Sequence, residues 1–218
     1  MNRILPYLLL LLLVIAPAMT GCNSSDSSVD YTQYYSWRDR NNEFMSRLQT
    51  SVATYGSSTF FADSVKSLAE PYSFYPTFYH VLEAADEEAL RAKGRWFTPY
   101  YTSTLKAHYT LFDTKSVLNR LDNIDLTDKE AVEAVFTDGK TKTIQEREIE
   151  FYESFTPASV IVGWGDVLQR MHEGDSWIVA IPWFLGYGQT GASDIDPYST
   201  LFFHIKLVEI TWWGGTAE

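Results

Sequence analysis

The chain has 218 residues, 45% hydrophobic and 16% aromatic, enough for one packed domain and an extension. A formal net charge of −11 argues against recognition of nucleic acid or anionic lipid through charge. A single cysteine excludes an internal disulfide.

Met1-Asn2-Arg3 and the apolar run Ile4–Met19 have the layout of a secretory signal, assigned to residues 1–21. The run ends in Met19-Thr20-Gly21-Cys22, which resembles a bacterial lipobox with Met19 in place of the more usual leucine. That resemblance implies an acylated Cys22 as first mature residue, an expected lipid such as palmitate, and attachment to an envelope membrane, with the outer membrane expected. A transmembrane anchor is the alternative, since the run nearly has the length to span. Residues 22–35 begin with a Ser- and Asp-rich polar tether.

Trp37, Phe44, Met45, Leu48 and Val52 have helical spacing, and Phe60, Phe61, Val65 and Leu68 extend it, so residues 36–75 read as a helical extension. Either a packing element or a dimerisation arm fits that pattern. Phe78–Leu82 is a candidate strand. Leu105, Ala107, Tyr109 and Leu111 alternate with polar residues, as a half-buried strand requires. Trp164, Val167, Leu168 and Met171 define one face of a helix about ten residues long between Gly163 and Gly174. Trp177–Ile181 reads as a buried strand, and Leu201, Phe203, Ile205 and Leu207 mark a strand with period two. The expected fold is α+β, an antiparallel sheet curled around one short helix, over residues 76–218.

The order Val160-Ile161-Val162-Gly163-Trp164, Met171, Gly174, Ile181-Pro182, Tyr187-Gly188 and Thr200-Leu201-Phe202-Phe203 resembles the C-terminal half of FKBP-type peptidyl-prolyl isomerases. The likeness covers about 160–210 well and about 78–112 loosely. It implies an FKBP-like fold, no cofactor, and an aromatic pocket for proline. Trp164 would be its floor, Val160 and Ile161 its lining, and the Ile161 N–H a hold on the peptide carbonyl. Tyr187 would offer a hydroxyl, Phe203 and Tyr109 would close the walls, and Phe155 would stand just ahead of the Val-Ile pair. Implied partners are proline-containing polypeptides of exported proteins and macrolide inhibitors such as tacrolimus.

The family's Phe-Asp-x-Ser stretch has no clean counterpart. Val135-Phe136-Thr137-Asp138-Gly139 supplies Phe136, but Thr137 stands at the aspartate position and Asp138 lies one place on. A one-residue slip reverses the face of a strand residue, although a bulge restores it. Leu118-Asn119 is a competing alignment. The loop Ala192–Pro197 is one residue short and has Asp196 where a proline is usual. Two other readings stay open: an FKBP-like binding or chaperone module of low catalytic power, and an aromatic accessory lipoprotein using Trp183, Trp212 and Trp213 on a glycan. His80, His108, His172 and His204 show no metal-ligand spacing.

Overall fold

The computed structural model describes residues 32–67, 69–72, 75–147 and 154–211. The segment 1–21, Cys22, Leu68 and Trp212-Trp213 lie outside them.

The first helix, α1 (Tyr35–Tyr55), buries Asn41, Phe44 and Leu48, a stripe spaced by three and four residues. Gly56, with φ of 53°, ends it. The helical reading of 36–75 therefore holds only as far as Tyr55. Beyond it, β1 (Asp63–Lys66) pairs antiparallel with β2 (Pro76–Glu83). Phe60 and Phe61 are buried in the link before β1, so apolar residues there serve a turn and not a helix face.

Next come α2 (Glu87–Ala92), β3 (Thr104–Phe112), α3 (Thr114–Leu121), α4 (Lys129–Thr137), β4 (Thr143–Arg147) and β5 (Ser154–Phe155). Asp86, Asp113 and Asp128 cap the three helices, each carboxylate accepting a backbone N–H three residues on, at 2.9, 2.8 and 3.1 Å. The chain continues through α5 (Val162–Leu168), β6 (Ser176–Ile181) and β7 (Leu201–Thr211). Helix α5 is shorter than the spacing suggests. Gly163 and Gly165 lie inside it, and Met171 is fully buried beyond its end.

Among the described residues, seven strands form one antiparallel sheet in the order β1-β2-β6-β7-β3-β4, with β5 also on β3. Its two faces carry separate cores. The inner face meets α5 through Leu105, Ala107, Val179, Phe203 and Ile205. The outer face meets α1, α3 and α4 through Phe78, Phe112, Ile178 and Phe202. Adjacent Phe202 and Phe203 thus point to opposite cores, as strand alternation demands. The sheet does enclose one short helix, but its other face is also covered, by the N-terminal helix and the β3–β4 insertion.

Candidate functional site

The site is built upward from α5. Ile161 precedes the helix in extended conformation, and its carbonyl accepts the Trp164 and Gly165 N–H groups, both at 3.0 Å. Its own N–H lies before the helical ladder and takes no part in it. A Cβ at Gly163 would run into Ile181 and lie 2.8 Å from Thr77 Oγ1. A Cβ at Gly165 would lie 2.6 Å from the Pro157 carbonyl oxygen. Bare glycine at both positions lets the helix lie flat on the sheet and on the turn leading to Val160. That seating fixes Trp164 against the inner face.

Trp164 is the hub of the aromatic set. Its ring meets Tyr109 edge-on at 5.0 Å, stacks near Phe155 at 5.4 Å, and lies tilted to Phe203 at 5.2 Å. Tyr109 and Phe203 are themselves 6.2 Å apart. These separations are those of favourable aromatic pairs. Trp164, Phe203 and Ile161 are buried, while Tyr109, Phe155, Val160 and Tyr187 are half-buried. The arrangement is a sealed aromatic floor with an accessible apolar rim. The Trp164 indole N–H is buried with no hydrogen-bond partner among the described residues.

Tyr187 stands on the loop between β6 and β7, packed on the same core. Burial, and then the neighbouring Tyr109, pushes its phenol above the usual tyrosine value. Its hydroxyl is therefore protonated at neutral pH and able to donate. Trp183 O accepts the Gly186 and Gly188 N–H groups at 3.1 and 2.9 Å, which shapes the turn that presents Tyr187. The shortened Ala192–Pro197 stretch closes on itself, with Ala192 and Ile195 exchanging backbone bonds at 2.9 and 3.0 Å. Ile195 is buried against the inner core.

Seven of the nine residues singled out from the sequence thus share one side of the sheet. Phe136 and Asp138 do not. Phe136 lies on α4, in the outer core, 5.4 Å from Phe112 and 6.0 Å from Phe202. Asp138 caps the C-terminal end of α4 and is held bidentately by Arg120, at 2.8 and 2.7 Å. That guanidinium, with the Lys140 N–H next, holds the Asp138 carboxyl well below the usual carboxylate range. The 135–139 stretch is a helix end, so neither a strand slip nor a bulge brings it to Tyr109. The competing Leu118-Asn119 also fails: Leu118 is buried in the outer core and Asn119 accepts from Arg40.

The strand beside Tyr109 is instead β4, in register Tyr109 with Arg147. Ile144 on that strand packs against the inner core. Sequence reasoning missed β4. Its signal was available in the Asp113 and Asp128 caps, which mark 114–137 as inserted helices and push the partner strand beyond Lys142. Trp183 is part of the loop's framework, edge-on to Phe184 and Tyr198 at 5.2 and 5.1 Å, and not an isolated exposed platform.

The family model of the FKBP-type peptidyl-prolyl cis-trans isomerase matches residues 99–208, half of the chain, and the chain belongs to that family. The macrophage infectivity potentiator of Trypanosoma cruzi is 48% identical over 58 residues, 26% of this chain and 30% of that protein. The FKBP-type 22 kDa peptidyl-prolyl cis-trans isomerase of Escherichia coli strain K12 is 44% identical over 57 residues, 26% of this chain and 28% of that protein. The aligned stretches therefore span less than a third of either curated relative. The solved peptidyl-prolyl cis-trans isomerase of Pseudomonas syringae pv. tomato superposes with a TM-score of 0.48 at 19% identity, covering 80% of this chain and 95% of that one.

Proposed function

We propose that the chain catalyses cis–trans exchange of Xaa-Pro bonds in exported proteins. The observation that carries this reading is the convergence of Tyr109, Phe155 and Phe203 on Trp164, with Tyr187 packed on the same core. Rotation about the imide meets a barrier of roughly 18–20 kcal/mol because amide resonance must break. No nucleophile or metal is needed. A site that binds the twisted imide better than the planar one lowers the barrier. The twisted form is less polar, so an apolar aromatic floor favours it, while the Ile161 N–H and the Tyr187 hydroxyl orient the peptide. The same surfaces suit a macrolide inhibitor such as tacrolimus. Acylation of Cys22 would hold the domain at an envelope membrane on the 22–35 tether.

A second reading, a binding or chaperone module, is favoured by one specific observation. Asp138 is committed to Arg120 on the far side of the sheet and supplies no carboxylate beside Tyr109. Both readings expect rates below those of a relative with the full Phe-Asp-x-Ser stretch, the module expecting none.

Exchange spectroscopy on an Ala-Leu-Pro-Phe peptide separates them. Isomerase activity predicts acceleration by the purified chain, and Trp164→Ala should reduce it at least tenfold through lost apolar contact, at about 25 cal/mol per Å². Tyr187→Phe should lose less, since one hydroxyl is worth roughly 0.5–1.5 kcal/mol. Peptide binding without acceleration would leave the binding module. Mass spectrometry of the mature N-terminus, with Cys22→Ser as control, tests the lipid anchor separately.

A further inference from the structure

The loop that presents Tyr187 is fastened to α1 at both ends. On the entry side, the Trp183 indole N–H donates to Asn42 Oδ1 at 2.8 Å. On the exit side, the Trp37 indole N–H donates to Ser199 Oγ at 3.0 Å, and the Thr200 N–H donates to Asn41 Oδ1 at 2.7 Å. Asn41 is fully buried, and its amide nitrogen donates to the Trp37 carbonyl at 2.9 Å, which locks the side chain in that orientation. Positions 37, 41 and 42 fall on neighbouring faces of one helix, so one rigid element grips all three points.

Those points lead directly to Tyr187. Trp183 accepts the Gly188 N–H through its carbonyl at 2.9 Å, and Gly188 in turn accepts the Tyr198 N–H at 2.9 Å. The rings of Trp183 and Tyr198 close the loop edge to face at 5.1 Å. The Tyr198 hydroxyl reaches Gln189 Oε1 at 3.3 Å. Tyr198 itself has φ of 62°, a left-handed backbone that a residue with a Cβ rarely adopts. Such a conformation persists where the surroundings over-determine it. The Arg38 guanidinium of α1 lies 5.8 Å from the Tyr198 ring centre, adding one more contact from the same helix.

We propose that Trp37 and Asn42 of α1 are positioning residues for Tyr187, so that the N-terminal helix is a working part of the proline site and not an appended arm. The kinetic consequence rests on the isomerase reading, while the mechanical one does not. Held from both ends, the loop keeps Tyr187 packed on the inner core beside Tyr109 before substrate arrives. Released, it samples other positions, and binding must then restore order, which weakens affinity more than it slows the bound step.

The test uses the full chain and the double variant Trp37→Phe/Asn42→Ala, which removes two tethers and leaves buried Asn41 in place. Amide hydrogen exchange at Gly186, Gly188 and Tyr198 should accelerate about tenfold, while Ile178 and Phe203 in the sheet stay at the wild-type rate. In peptide isomerisation, KM should rise about threefold with kcat changed less. Asn42→Asp on the Trp37→Phe background, which keeps the acceptor for Trp183, should recover part of both effects. Unchanged loop exchange overturns the proposal, as does an equal rise at loop and sheet amides, which would mark general destabilisation. A wild-type chain that does not accelerate exchange of the peptide, combined with selective loosening of the loop, would refute the isomerase reading and leave the tether established.

Discussion

The two faces of the sheet are built from different kinds of sequence. The inner face draws on segments whose apolar positions are nearly continuous or strictly alternating: α5, β6 and β7 contribute Trp164, Val179, Phe203 and Ile205 within a short span of chain. The outer face assembles scattered pieces: Phe44 and Leu48 from α1, Phe60 and Phe61 from a link, Leu118 from α3, and Val132 and Phe136 from α4. Both cores are equally well buried. The inner one leaves a half-buried aromatic rim, the surface on which the proposed proline site rests. The outer one is covered by α1, α3 and α4, and it reaches the inner side only indirectly, through the bonds from α1 to the β6–β7 loop.

The sharpest way to break this division is at Phe202 and Phe203. Phe202 is fully buried and meets Phe44 edge-on at 5.4 Å. Phe202→Ala should cost about 3–5 kcal/mol. The melting temperature should fall by about 10 °C. Below the new midpoint, proline-peptide affinity should stay at the wild-type level. Phe203→Ala should destabilise on a similar scale but also weaken peptide binding, because it removes a ring 5.2 Å from Trp164. Calorimetry paired with peptide titration reads both. Equal losses of affinity in the two variants would end the claim that only one face binds.

A smaller effect tests the relocated carboxylate. Arg120 holds Asp138, the Val135 carbonyl and Thr141 Oγ1 together at the end of α4. Arg120→Ala should lower the melting temperature by a few degrees at most, because the Val135 carbonyl keeps the Thr141 hydroxyl and Asp138 keeps the Lys140 N–H. Asp138→Asn should destabilise less and should not change isomerisation at all. A fall in peptide turnover with Asp138→Asn, at constant melting temperature, would place the carboxylate back in the site.

The difference between the faces also explains which features are legible in the sequence. Glycines at 163, 174 and 188 and the Trp164 stripe are local signals, and a local signal survives without knowledge of partners. Strand β7 was legible because its inner residues alternate, but the same alternation hid Phe202, which is buried just as deeply on the other side. The 36–75 segment misled because Phe60, Phe61 and Val65 continue a helical spacing by chance, while Gly56 had already closed the helix. Phe136 resembles the phenylalanine of a short family motif, but that likeness does not place it in the site. Four positions of context were too few, since the Asp128 cap and the apolar stripe Val132, Val135 and Phe136 define a helix there. The loop tethers from Trp37, Asn41 and Asn42 span well over a hundred residues of sequence, and nothing local announces such pairs.

The smallest expected effect concerns pH, and it too divides the faces. His80, His108 and His204 share the outer side of the sheet by strand alternation with Phe78, Phe112 and Phe202. Burial is the first cause holding each imidazole below its ordinary value of 6.5. Phe60 stacks on His80 at 3.9 Å, and Ser176 Oγ lies 2.7 Å from His204 Nε2. Lys206 opposes protonation of both His108 and His204, while Glu83 favours it at His204, and Glu133 and Asp63 favour it at His80 against Lys129. The native state thus favours neutral rings, whereas the unfolded chain takes protons near pH 6.5. Stability is full above that value and declines as pH falls from 6.5 towards the depressed native values. Asp138 adds to the loss only in a lower window, below its ordinary 3.8. Melting curves at pH 7.5 and 5.5 should show the decline, and His204→Gln should shrink it by removing one of the three groups. A decline that His204→Gln leaves untouched would remove that histidine from the account, and a flat profile would show that the outer face does not resist protonation at all.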